Sequence, residues 1–187
     1  MSWEAGGLSE VTVLFADCRD YTSLTRELGV EKIAPVMEEF FRTASQIVIG
    51  RDGIVDHFLG DAVMAFFNVP IQRADHVAQA IAASAEIQLG VPHINATSGG
   101  AEILRVGIGI ATGWCLVTSA GSTKCGDYTV VGDTVNVASR LQGQAAPGEI
   151  IVTEATYQAI QSAFPNAKRR QYELKGISEQ VVGYVLT

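Results

Sequence analysis

The sequence predicts an α+β sandwich, with helices on one face of a mainly antiparallel sheet. Two observations carry that expectation. Hydrophobic periodicity alternates between strand type and helix type in the order β-α-β-β-α-β, with further short strands after it. Of the 187 residues, 48% are apolar and 18% charged, enough to bury one core and too apolar for a disordered chain.

Val11 to Ala16 is an apolar, β-branched run ending at Asp17, the pattern of a buried strand. The polar stretch Cys18 to Thr22 then opens a helix. From Glu31 to Gly50, residues Ile33, Val36, Met37, Phe40, Phe41, Ala44, Ile47 and Val48 form the stripe of an amphipathic helix. Gly53 to Leu59 and Ala62 to Asn68 read as strands flanking the turn dipeptide Gly60-Asp61. Asp75 to Leu89 is an Ala-rich helix with Asp75 as N-cap. Val91 to Ala101, carrying Pro92, Asn95 and Ser98-Gly99-Gly100, is expected to be a mobile surface connection. Leu104 to Thr112 and Cys115 to Ala120 are expected to pair as a hairpin, followed by a short strand from Tyr128 to Val131. Asp133 is placed as N-cap of a helix running to Gln144, and Ile150 to Val152 is a strand. A short helix from Glu154 to Ser162 and strands at Gln171 to Leu174 and Val181 to Leu186 complete a ferredoxin-like sandwich with appended strands. Met1 to Glu10 reads as a short leader without signal-peptide architecture, and residues 11–187 as one domain.

Against 13 Lys and Arg stand 20 Asp and Glu, a net charge of −7. A nucleic-acid polymer as partner is therefore not expected, because that requires a basic face. An anionic ligand held through metal ions stays open. The 3 cysteines (Cys18, Cys115, Cys125) form no CxxC pair, which argues against a zinc ribbon or disulfide framework and for a reducing compartment. The long uncharged run from Val106 to Thr123 is broken by glycines and reads as strands rather than a membrane span. Gly107 to Gly113 misses the GxGxxG spacing, and its glycines read as sites of close backbone packing.

Two acids hold special positions. Asp17 ends the first strand and Asp61 lies in the turn of the next hairpin, and the β-α-β-β order allows those ends to lie side by side. Two carboxylates beside a helix start make a site for Mg²⁺-bound phosphates. Equally, Asp at a strand end or in a Gly-Asp turn has conformational reasons of its own. Asn136 and Arg140 are four apart on the Asp133 helix, hence on one face. An amide and a guanidinium together suit ribose and phosphate, or they form a solvated face.

Three stretches change the weight of these alternatives: Val11-Thr-Val-Leu-Phe-Ala-Asp-Cys-Arg-Asp-Tyr-Thr22, Gly53-Ile-Val-Asp-His-Phe-Leu-Gly-Asp-Ala-Val-Met-Ala-Phe66 and Asp127-Tyr-Thr-Val-Val-Gly-Asp-Thr-Val-Asn-Val-Ala-Ser-Arg-Leu141. In this order they resemble the catalytic domain of class III nucleotidyl cyclases, the adenylate and guanylate cyclase family, from Val11 to the C-terminus. The resemblance implies a head-to-tail homodimer with active sites at the subunit interface and a nucleoside triphosphate as substrate. It implies that Asp17 and Asp61 of one subunit hold two divalent ions, Mg²⁺ or Mn²⁺, while the ribose 3′-oxygen attacks the α-phosphorus and pyrophosphate leaves. Asn136 then orients the ribose and Arg140 stabilises charge on the transferring group, both from the other subunit. Backbone N–H groups of Cys18, Arg19, Asp20, Tyr21 and Thr22 cradle the phosphates, and Lys175 in Leu174-Lys175-Gly176 corresponds to a phosphate-binding lysine. No membrane contact by the domain itself is implied, and a cytoplasmic location is expected, alone or within a larger sensor or membrane protein.

The match departs from the family at base selection. Adenylate cyclases usually carry Lys four residues before the second metal Asp, where this chain has His57; the partner position is Thr129. Imidazole donates or accepts according to tautomer, so ATP is expected first, GTP second and a pyrimidine triphosphate third. A structurally satisfied His57 in a site with weak base recognition is the other reading of that position. A non-catalytic nucleotide-binding dimerisation module is the competing function.

Overall fold

The computed structural model describes residues 7–97, 103–119, 128–177 and 180–186. In chain order the elements are β1 (Leu8–Cys18), α1 (Tyr21–Leu28), α2 (Val30–Gly50), β2 (Ile54–Leu59), β3 (Ala62–Phe67), α3 (His76–Thr97) and β4 (Val106–Ser119). They continue with β5 (Tyr128–Val131), α4 (Asp133–Gln144), β6 (Ile150–Thr153), α5 (Glu154–Ile160), β7 (Lys168–Tyr172) and β8 (Val181–Leu186). The strands make an eight-stranded sheet of order β2-β3-β1-β4-β6-β8-β7, with β5 off this path against β4. Its described pairs are antiparallel apart from β4 with β6. The expected α+β class and βαββαβ core are present, and β1 begins inside the predicted leader.

The helices do not all share one face. Leu14, Ala16 and Cys18 of β1 pack with Ile33, Met37 and Phe40 of α2, Ala80 and Ile87 of α3 and Ile160 of α5. The alternate residues Val11, Val13 and Phe15 face the other way and pack with Ala138 of α4. Because β1 is apolar on both faces, one helical layer cannot cover it, and α4 takes the second face.

Other expectations are corrected. In place of the hairpin predicted over Leu104 to Ala120, Val106–Ser119 is one continuous strand, β4, that pairs β1 without interruption from Val106 to Leu116; Ala120 lies outside the described residues. The predicted connection from Val91 is helical to Thr97: α3 runs through Pro92 because Ile94 is buried and Asn95 exchanges hydrogen bonds with the Leu104 backbone at 2.8 and 2.9 Å. Residues 98–101 of that segment, and Cys125, lie outside the described residues; Cys18 and Cys115 are free thiols, both buried. Asp75 takes the N-cap position of α3, its carbonyl accepting from Gln79 N–H at 3.0 Å, but its carboxylate binds the Arg73 and Gln79 side chains rather than a helix N–H. Asp133 is the first residue of α4, after Gly132, and its charge faces the positive end of the helix dipole without capping it. The expected strand at Gln171 to Leu174 lies earlier, at Lys168–Tyr172, where Lys168, Arg169 and Arg170 line an exposed sheet edge. Among the described residues no helix is long and apolar enough to cross a membrane.

The glycines of β4 seat α4. A Cβ at Gly109 would strike the Gln142 amide and the Ala138 carbonyl, and one at Gly113 would lie 2.6 Å from Thr134 Oγ1. Gly109→Ala therefore forces the helix off the sheet and is expected to cost about 1–3 kcal/mol or more. The comparison is Gly143→Ala on the open side of α4, where nothing lies within 4 Å; there the helix gains about 0.5–1 kcal/mol. Urea midpoints of the two variants, measured side by side, check both signs.

Candidate active site

The end of β1 and the β2–β3 turn meet as the sequence suggested. Asp17 pairs in register with Ala62, which places the Gly60-Asp61 turn beside it, and the Cys18 N–H donates to the Asp61 carbonyl at 3.2 Å. Gly60 makes the tight turn at φ 62°. Asp17 projects on the α4 face. Its Oδ2 accepts from Arg19 Nη2 and from Gln142 Nε2, each at 2.6 Å, while Oδ1 is buried with no hydrogen-bond partner. Burial, and then the negative charge of Asp61, push the Asp17 carboxyl up to about 6 against the lowering pull of Arg19 and Gln142.

A separate cleft of about 410 Å³ is lined by Asp56, His57, Thr129, Asn136 and Ser139 over an apolar floor that includes Phe15 and Met64. His57 is 47% exposed, and its Nδ1 lies 3.1 Å from Asp56 Oδ2. Thr129 Oγ1 donates to the same Asp56 oxygen at 2.9 Å. Asp56 was missed in the sequence. The β2–β3 register shifts between Val55 and His57, so Asp56 is the extra residue of a bulge, which turns it into the cleft beside its neighbour. Adjacent polar residues in a short strand were the available signal.

Arg140 lies elsewhere on α4. A Cβ at Gly176 would lie 3.1 Å from its Nη1, a buried atom without a hydrogen-bond partner. Gly176 has φ 76° in the turn closed by Ile177 N–H on Leu174 O, so the Lys175-Gly176 pair is brought to Arg140 by a turn that only glycine fits well. Lys175 itself is exposed.

The expected N–H cradle is narrower than the sequence implied. Cys18 N–H is bound to Asp61 O and Arg19 N–H to Arg105 O at 2.6 Å. Asp20, in the left-handed conformation at φ 61°, precedes α1, and its side chain pairs with Arg105 at 2.9 Å instead of capping. That leaves the first-turn donors of α1, including Tyr21 and Thr22, which have no carbonyl within the helix to bond.

This architecture is shared with solved cyclase domains. The guanylyl cyclase Cya2 superposes with a TM-score of 0.89 at 29% identity, covering 98% of this chain and 94% of that one. The adenylyl cyclase CyaB from P. aeruginosa gives 0.86 at 28% identity, covering 98% and 96%. The chain belongs to the adenylate and guanylate cyclase catalytic domain family, whose model matches residues 4–187. Adenylate cyclase 1 of Rhizobium meliloti (strain 1021) is 34% identical over 136 residues, 72% of this chain and 20% of that protein. Adenylate cyclase of Anabaena cylindrica is 30% identical over 140 residues, 74% of this chain and 28% of that protein. The chain thus spans a minor part of the length of these relatives.

Proposed function

We propose that the domain converts a nucleoside triphosphate, ATP in first place, to the 3′,5′-cyclic nucleotide and pyrophosphate, in a head-to-tail homodimer whose subunits share each site. The observation that carries this reading is the Asp17–Asp61 pair, in which one buried carboxylate oxygen has no partner and a second carboxylate raises the cost of its charge. A divalent cation answers both features, so the residues fit Mg²⁺ or Mn²⁺. Among the described residues no group of three or more His, Cys, Asp and Glu side chains could hold a metal by itself. Two carboxylates completed by substrate phosphates suit an ion such as Mg²⁺. When bound, two such ions supply charge neutralisation at the triphosphate and favour the attacking oxygen.

The chain's own residues do the rest. Asp17 and Asp61 hold the ions. The first-turn N–H groups of α1, at Tyr21 and Thr22, and Lys175 receive the phosphates. Asn136 orients the ribose, and Arg140 meets charge on the transferring phosphoryl group. His57 and Thr129 face the base. GTP is the second reading, favoured by the Asp56 contact. A carboxylate at Nδ1 favours the proton there and leaves neutral His57 with an accepting Nε2, the sense required by guanine N1–H and N2–H₂. Adenine N1 needs a donor, which the other neutral tautomer, with Nε2–H, provides.

Purified protein incubated with each of the four nucleoside triphosphates and Mn²⁺ is expected to form cyclic AMP fastest, and none with excess chelator. A higher rate with GTP gives the base to the second reading. Binding without any cyclic product makes the domain a nucleotide-sensing module and ends the enzymatic one.

A further inference from the structure

Cyclisation as described leaves Gln142 without a role, although its amide makes one of the shortest polar contacts at Asp17. Gln142 is 7% exposed, two residues beyond Arg140 on α4. It reaches β1 because α4 sits directly on Gly109, whose missing side chain lets the Gln142 backbone approach. At Asp17 the distribution of donors is unequal: Arg19 Nη2 and Gln142 Nε2 both bind Oδ2, and Oδ1 has neither a donor nor exposure to solvent. Two donors from different elements, one from the β1–α1 link and one from α4, fix the rotation of the carboxylate about its last torsion. Arg19 supplies the positive charge that offsets burial. Gln142 adds a second fixed direction without further positive charge, which would weaken cation binding.

We infer that Gln142 is a positioning residue for the cation site, holding Oδ2 of Asp17 so that Oδ1 is the oxygen presented to the divalent ion. The inference rests on the proposed metal role of Asp17. It also makes α4 a helix with two duties, since Asn136 and Arg140 serve the nucleotide while Gln142, on the same helix, sets the geometry of its own chain's Asp17.

The test replaces Gln142 by Met, of similar length but without a donor, and separately by Ala, which leaves the helix its propensity and cannot overpack. Mn²⁺ binding is followed by electron paramagnetic resonance in the presence of 3′-deoxy-ATP, or 3′-deoxy-GTP if GTP is the nucleotide turned over, neither of which can cyclise. Both variants are expected to need about 10-fold more Mn²⁺ for half-saturation, the usual penalty for losing an outer hydrogen bond to a metal ligand. The KM for nucleotide at saturating Mn²⁺ is expected to stay near wild type, and the unfolding midpoint to fall only by the loss of one hydrogen bond, since Arg19 still donates to Oδ2. Unchanged Mn²⁺ affinity overturns the inference. So does a joint fall in Mn²⁺ affinity, nucleotide KM performance and stability, because a displaced α4 would carry Asn136 and Arg140 with it. Asp17→Asn measured alongside separates the two levels: wild-type Mn²⁺ affinity in that variant removes the metal role itself, whereas a loss there with Gln142→Met unaffected removes only the role of Gln142.

Discussion

Asp61→Ala is expected to lower cyclic nucleotide formation by about 1,000-fold or more while the protein stays folded and no less stable than wild type. The reasoning lies in what Asp61 does when no ion is bound. Its negative charge raises the Asp17 carboxyl, so in the free protein the side chain is a liability for its neighbour. What anchors the turn is the Asp61 carbonyl, which accepts from Cys18 N–H and survives the substitution. Loss of function with retained or improved stability is the mark of a residue kept for its ligand. Asp17→Ala should abolish the same activity with a different companion effect. It strands the Arg19 and Gln142 donors in a half-buried site, a loss of about 1–3 kcal/mol. Product rates and urea midpoints on the two variants check both halves. Near-normal turnover by either protein would sink the metal assignment.

Much of this site was legible because sheet topology is short-ranged here. Asp17 and Asp61 meet because a first strand pairs the second strand of the next hairpin, and a Gly-Asp turn is readable in the sequence. Asn136 and Arg140 were placed on one helix by spacing alone, yet the structure puts Asn136 in the cleft with His57 and Arg140 against the Gly176 turn. That separation depends on which neighbours surround each turn of α4, information that periodicity does not hold. Glycine misled in one place and informed in another. The expected hairpin left Gly113 and Trp114 between its two strands, but Gly113 faces Thr134 on α4 and the strand continues through it. The same glycine-rich run was rightly read as close backbone packing, although what packs there was invisible. Asp56 and Gln142 escaped notice for one reason: both act through long-range contacts, one created by a bulge and one by a helix seated on Gly109. The edge strand β7 was displaced in the reading because an exposed edge is built of charge, with little alternation to detect.

Mixing Asp61→Ala subunits with Arg140→Ala subunits is expected to recover activity that neither has alone. The cleft formed by His57, Thr129 and Asn136 does not include Asp17 or Asp61 among its lining residues. If each complete site joins the acidic pair of one subunit to the α4 residues of the other, a two-fold dimer holds two such sites. A mixed dimer then concentrates both lesions in one site, leaving the other with an intact acidic pair and an intact Arg140. Random exchange makes half of the dimers mixed, and each has one of two sites working, so about a quarter of wild-type activity per subunit should return. The dependence on mixing ratio is equally specific, with a maximum at equal amounts and a fall to nothing at either end. A site built within one chain gives no recovery at any ratio, because every subunit in the mixture carries a lesion of its own.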